Sequence, residues 1–230
     1  MIKKLLATLG IGLALTYPTT AMEFYTPYRE DRVNFIYNLL FCDDLTLWKN
    51  ENTTKGSGLW PTLLAEKPDL ESLEKIAKDE TNEGRVRAIA FNRLRELRRS
   101  VPPRKLFGVV LEVPQEQGLD VLAAFSEGGV RYINYSGAMA IFEGSGNPVE
   151  KLAKELIASA QPLVNQIGPW EKKRLPPPGA GKVRITMLVS DGLYFGEGPF
   201  EALGKDPLAG PVLDKATQLF QRVIETPSRQ

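Results

Sequence analysis

The chain has 230 residues, 43% hydrophobic and 25% charged, with a formal net charge of +1. That is enough chain to bury a real core, and too balanced a charge for an electrostatic nucleic-acid binder. Histidine is absent and Cys42 is the single cysteine, which excludes Ser-His-Asp triads, Cys-His pairs, histidine-ligated zinc and intramolecular disulfides. A nucleophile in this chain would depend on a carboxylate, a lysine or a metal held by oxygen atoms.

Residues Met1–Ala21 read as a signal peptide. Lys3 and Lys4 give a charged start, Leu5–Tyr17 is apolar and uncharged, and Pro18-Thr19-Thr20-Ala21 ends in a small residue. The apolar segment is short for a membrane span. The alternative is a cytoplasmic protein starting at Met22. Residues 22–103 then read as a helical lobe. Apolar spacing predicts a helix over Asp31–Phe41, and Asn50–Ser57 is a polar loop. Trp60–Glu66 predicts a short helix with Pro61 in its first turn, and Pro68-Asp69 opens another running to Asp79. Thr81-Asn82-Glu83 opens the longest, to Arg99, with Val86, Ile89, Ala90, Leu94 and Leu97 on one face. Pro102-Pro103 ends it.

Residues 104–230 predict a sheet domain that forms one folded unit with the lobe. Apolar runs around Val109–Val113, Leu119–Phe125, Val130–Asn134 and Ala138–Glu143 are cut by Gly- and Ser-rich turns, the pattern of an antiparallel meander. Asn147–Gln166 is an amphipathic helix that Pro162 should kink or divide. Gly168–Gly181 is an irregular Pro- and Gly-rich connection. Val183–Val189 and Leu193–Gly196 are strands joined at Ser190-Asp191-Gly192. Glu197–Gly210 reads as a loop, and Pro211–Ile224 as a closing helix. The fold class is therefore α+β, an antiparallel meander sheet in the order ββββ-α-ββ-α with an N-terminal helical lobe. That order resembles profilin-like and roadblock-like sheets, folds that host many functions.

Three stretches are the most distinctive. They are Asp120–Phe125 with Arg131–Gly137, then Ile167-Gly168-Pro169-Trp170, then Ser190–Gly198. Together they resemble a bacterial family of uncharacterised proteins of about this length, over roughly Tyr37 to Glu225. The resemblance implies that these stretches belong to one folded unit, and it implies no activity.

Each candidate site has a structural reading beside the functional one. Cys42 beside Asp43 and Asp44 is a poor thiolate site, because neighbouring carboxylates oppose ionisation; a buried cysteine at a helix end is expected. Asp43 and Asp44 lack a calcium-loop pattern, so capping or pairing with arginine is expected. The run Arg85, Arg87, Arg93, Arg95, Arg98, Arg99, Arg104, Lys105 reads as a solvated helix surface, except that Arg93 falls in the apolar arc and should be partly buried and paired with a carboxylate. The glycines of Gly192–Gly198 suit a hairpin and a tight strand exit, since the Lys-Ser/Thr ending of a phosphate loop is missing. Asp191 and Glu197, six residues apart around that hairpin, are the candidates for a catalytic acid and base. Trp170, Lys172 and Arg174, before Pro176-Pro177-Pro178, combine an aromatic anchor, positive charge and a stiff segment suited to a partner or an anionic surface; the structural reading is a surface connection whose Trp170 packs over the sheet edge. Tyr194, Arg131 and Asn134 complete the candidate binding residues. Asn52-Thr53-Thr54 and Asn134-Tyr135-Ser136 match glycosylation acceptors.

The sequence thus leads to an exported, periplasmic or secreted, non-enzymatic binding or interaction protein, for which an inhibitor-type role fits. It predicts a protein partner, no nucleic acid, no membrane span in the mature chain, no cofactor and no metal. The alternative is a carboxylate-dependent hydrolase or transferase using Asp191 and Glu197.

Overall fold

Period-two burial and turn chemistry build the centre of the molecule. The computed structural model describes residues 24–49, 58–144 and 146–226. The predicted signal peptide, the alternative start at Met22 and the Asn52-Thr53-Thr54 acceptor lie outside the described residues. The meander is β1 (Leu106–Gln115), β2 (Gly118–Phe125), β3 (Val130–Ile133) and β4 (Met139–Phe142). A later hairpin supplies β5 (Lys182–Val189) and β6 (Gly192–Pro199). All six strands form one antiparallel sheet in the order β4-β3-β2-β1-β5-β6. The β3–β4 turn is made by Asn134, whose side-chain oxygen accepts from the Ser136 and Ala138 amides and the Ser136 hydroxyl.

β1 lies at the centre, so its residues are buried on both faces. Val109 and Leu111 point to one side with Leu122, Ile185 and Met187. Phe107 and Val110 point to the other with Val121, Ala123 and Leu188. The register slips between Leu106 and Gly108, a bulge that resets which face each following residue meets.

The first face is covered by α5 (Glu150–Gln166) and α7 (Ala209–Glu225), through Ala153, Leu156, Ala160, Val212, Ala216 and Leu219. The second is covered by the N-terminal helices α1 (Asp31–Leu39), α2 (Trp60–Leu64), α3 (Leu70–Lys78) and α4 (Gly84–Glu96), with a 3-10 turn at Leu45–Trp48. Asp69 caps α3, as its place before the helix predicts, accepting from the Ser72 amide at 2.8 Å. The protein is therefore α+β with an N-terminal helical lobe and the ββββ-α-ββ-α order, plus a short α6 (Phe200–Lys205) before the closing helix. No helix among the described residues is long and apolar enough to cross a membrane.

Three expectations need correction. Pro162 does not divide α5, which runs unbroken. The proline and Ala158, whose carbonyl loses its usual partner, both sit on the exposed side, where water can satisfy the group. Glu197–Gly210 is not a loop: β6 continues to Pro199, α6 follows directly, and α7 begins at Ala209. The arginines of α4 do not form a solvated surface either. Arg87 is 5% exposed with its guanidinium 4.9 Å from the Phe107 ring centre, and Arg85 lies 5.4 Å from that of Phe125. Their aliphatic stems and planar heads fill the seam between helix and sheet. Arg93 behaves as its position predicts, pairing with Glu96 at 2.6 Å and donating to the Ala65 carbonyl at 2.7 Å.

The seam closes most tightly at Gly84. Its amide donates to the Glu127 carboxylate at 2.7 Å, and a Cβ there would overlap the Phe107 carbonyl oxygen. Gly84→Ala should therefore cost about 1–3 kcal/mol of unfolding free energy despite alanine's better helix propensity. Urea denaturation checks this, and a stability gain would show that α4 is not seated on β1.

Candidate functional site

Two charged residues interrupt otherwise apolar strands, and antiparallel register brings them together. Glu112 of β1 lies opposite Arg184 of β5, and Arg184 lies opposite Glu197 of β6. The three side chains form a carboxylate–guanidinium–carboxylate row across the sheet on the N-terminal-lobe side. Arg184 donates to Glu197 from both Nε, at 2.9 Å, and Nη2. Its Nη1 lies 3.8 Å from Glu112 Oε2 and donates to the Pro176 and Leu175 carbonyls at 2.7 and 3.2 Å. From above, Tyr37 of α1 donates its hydroxyl to Glu112 Oε1 at 2.6 Å.

The Pro-rich connection carries the second layer. Arg174 donates to Asp43 at 2.8 Å and to the Asn38 side chain at 2.8 Å. Its guanidinium lies 4.0 Å from the Phe41 ring centre and 5.0 Å from that of Tyr25, and the Tyr25 hydroxyl donates to the Arg174 carbonyl at 2.7 Å. Asn38 in turn ties down the backbone of Tyr25 through both its amide and carbonyl groups. The connection is thus fastened between α1 and the sheet by two buried arginines.

Burial dominates the acid–base behaviour of this network. It raises the pKa of Glu112, against the opposing effects of the Tyr37 hydrogen bond, Arg184 and Arg174. It raises that of Asp43 against the pull of Arg174, and lifts the Tyr37 hydroxyl well above its ordinary value. Perturbed groups often mark reaction sites, but Glu112 and Arg184 are 0% and 4% exposed. They are sealed between lobe and sheet, and their role is structural.

The predicted site residues are distributed as follows. Asp191 sits in the β5–β6 turn, where its carboxylate accepts from the Tyr194 hydroxyl at 3.0 Å and the Arg104 amide at 3.3 Å. Glu197 lies five residues beyond Gly192 along β6, on the order of 17 Å away at strand rise, so the pair does not converge. Burial opposes ionisation of Glu197, but hydrogen bonds from Arg184 and Lys182 hold its pKa below the usual value. Trp170 packs over the sheet edge: its ring meets Phe195 edge-on at 5.0 Å, and its amide donates to the Leu193 carbonyl at 2.7 Å. Lys172 rests over the outer face of that indole. Arg174, Tyr194 and Arg131 are not surface contacts. Tyr194 is 1% exposed in the core, and Arg131, 6% exposed, donates to the Val130 and Phe142 carbonyls and pairs with Glu143. Asn134 serves its turn. Cys42 is buried at the end of α1, its thiol pushed up to about 12 by burial. Asp44 caps the following 3-10 turn through the Thr46 amide at 2.8 Å.

What the sequence reading missed lies on the opposite face of the sheet. Between β1–β3 and α7 there is a cleft of about 180 Å3. Its floor is Leu111, Val113, Leu122 and Tyr132, adjacent in register across three strands. Its roof is Leu213, Ala216 and Phe220, with Thr217 and Phe200 at the mouth. Phe200 is 53% exposed. Asp120 is the one charged side chain among the described residues that line it. The signal was present in β2: Asp120 shares the face of Leu122 and Ala124 in a strand otherwise buried, and a lone carboxylate there breaks the apolar pattern.

Comparison with known proteins finds no family model that matches the chain and no matching curated relative.

Two substitutions test the buried row. Arg184→Met removes the cation between two carboxylates and should cost about 3–5 kcal/mol. Glu112→Gln keeps an acceptor for Tyr37 and removes a carboxyl whose folded pKa is raised. Such a group holds its proton more tightly in the folded chain, so it lowers stability progressively as pH rises from its unfolded value, about 4.3, through its folded one. Denaturant melts at acidic and neutral pH should show Glu112→Gln gaining on the wild type as pH increases; an equal difference at both would contradict the assignment.

Proposed function

We propose that the protein is a non-enzymatic binding protein that holds a small apolar ligand in the cleft between the sheet and α7. The observation that carries the reading is the cleft's lining: apolar side chains from three strands and one helix, with few polar groups to fix orientation, the usual make-up of a ligand site. Its volume is close to that of cavities known to take a benzene ring.

The rest of the molecule supports binding over catalysis. The carboxylates with raised pKa are enclosed by arginine and tyrosine partners, and Asp191 and Glu197 are separated along β6. Trp170 and Lys172 remain the part of the connection through which a protein partner would be met, since the tryptophan is half-buried and the lysine exposed. Export to the periplasm or beyond is part of the proposal and rests on the Lys3-Lys4 start and the apolar Leu5–Tyr17 segment.

The neutral fluorescent probe N-phenylnaphthylamine tests the cleft. Thr217 is exposed at the mouth, so Thr217→Trp narrows the entrance without touching the core. Probe fluorescence should rise on binding the wild-type chain, and the variant should bind about tenfold or more weakly with an unchanged circular dichroism spectrum. Equal affinity of the two would place the probe elsewhere and contradict the reading.

A further inference from the structure

Among the described residues, the carboxylate in the cleft has no cation of its own. Asp120 Oδ1 accepts the Tyr135 amide at 2.8 Å and the Tyr132 hydroxyl at 3.3 Å. These two bonds fix the plane of the carboxylate and leave Oδ2 without a hydrogen bond among the described residues. Asp120 also forms no ion pair among them. On the other face of the sheet, Glu112 and Glu197 meet Arg184, and Asp43 meets Arg174. Asp120, half-buried beside Leu122 and Val113, meets no such partner among the described residues.

Aromatic rings stand around the same position. Tyr132 is bonded to Asp120 and meets Phe220 edge-on, ring centres 5.1 Å apart. Phe200 exposes its ring at the mouth. A carboxylate backed by aromatic faces and opening on an apolar hollow is complementary to an organic ammonium. The carboxylate supplies the counter-charge, the rings supply cation–π attraction, and the hollow takes the hydrocarbon body. A carboxylic or phosphoric acid would meet repulsion from Asp120 with no basic lining residue to offset it.

We propose that the cleft binds a small organic amine, with a ring-sized apolar body between the sheet and α7 and its ammonium group on Asp120. This rests on the reading of the cleft as a ligand site. The hollow's volume, about 180 Å3, matches one ring and a short chain better than an extended acyl tail. Tyr132 positions Asp120, and its own hydroxyl is raised above its ordinary pKa by burial and then by that carboxylate.

The test is calorimetric titration of the purified chain with phenethylamine, phenethyl alcohol, hydrocinnamate and Nα-acetyl-lysine amide. Phenethylamine should bind at least about tenfold more tightly than the alcohol, which has the same ring and chain length, and hydrocinnamate should bind most weakly of the ring compounds. Asp120→Asn keeps an acceptor for Tyr132 and Tyr135. It should bring amine and alcohol within about twofold of each other, with the larger loss on the amine. Equal binding of amine and alcohol to the wild type, or a preference that survives Asp120→Asn, overturns the amine proposal. If the alcohol binds and Thr217→Trp abolishes its binding, the cleft reading stands even so. Lysine amide binding as tightly as phenethylamine would show that the ring contributes nothing, pointing to a peptide side chain and overturning the proposal. Absence of binding by every compound sinks both readings.

Discussion

Arg184 is the residue on which the arrangement of layers depends. It sits on the lobe side of β5, 4% exposed, between Glu112 and Glu197. Its guanidinium has five donors in a fixed fork; they bond Glu197 on one side and two carbonyls of the Pro-rich connection above, while Glu112 on the other side faces it as an ion pair at 3.8 Å. A buried cation is tolerable only when its donors are met. The connection therefore has to cross the sheet at Leu175–Pro176. That in turn places Arg174 against Phe41, Tyr25 and Asp43, and so fixes where α1 can lie. Tyr37 completes the loop by returning from α1 to Glu112. Lobe, sheet and connection are held by one network rather than by three independent contacts.

This network separates the two faces of the sheet by role. On the lobe side, the charges of Glu112, Arg184, Arg174 and Asp43 are paired, and apolar residues pack around them. On the other side, α5 packs on β1 and β2, and α7 lies beside α5 over a gap toward the β1–β2 hairpin end. The charge left in that gap is Asp120, fixed by Tyr135 and Tyr132 but not neutralised. Both faces carry an apolar core; the charged network lies on one, and the proposed ligand cleft on the other.

Much of the architecture was legible in the sequence because periodicity and punctuation agree. The strand runs between Phe107 and Gly144 were bounded by Gly and Ser turns, and Asp69, Pro61 and Pro102-Pro103 marked helix boundaries. What sequence spacing could not supply was partnership. Arg174 sits among lysines before a proline run and looks like surface; Phe41 and Tyr25, far away in the chain, bury it. Glu112 and Arg184 each interrupt an apolar strand, but only the β1–β5 register shows that they face one another. Asp191 and Glu197 look adjacent around a turn, although a hairpin carries a residue away from its turn at strand rise. The Arg85 and Arg87 stems were misread for the same reason: a helical wheel shows direction but not the aromatic rings waiting on the sheet.

The central claim is that ligands enter the α7 face while the charged face stays closed. The most direct measurement is an amide chemical-shift titration with phenethylamine on the isotopically labelled chain. The account predicts saturable shifts at Asp120, Leu122, Tyr132, Ala216 and Phe220, with Tyr37, Glu112 and Arg184 unmoved. Shifts centred on Tyr37, Glu112 and Arg184, with the α7 face silent, would contradict it.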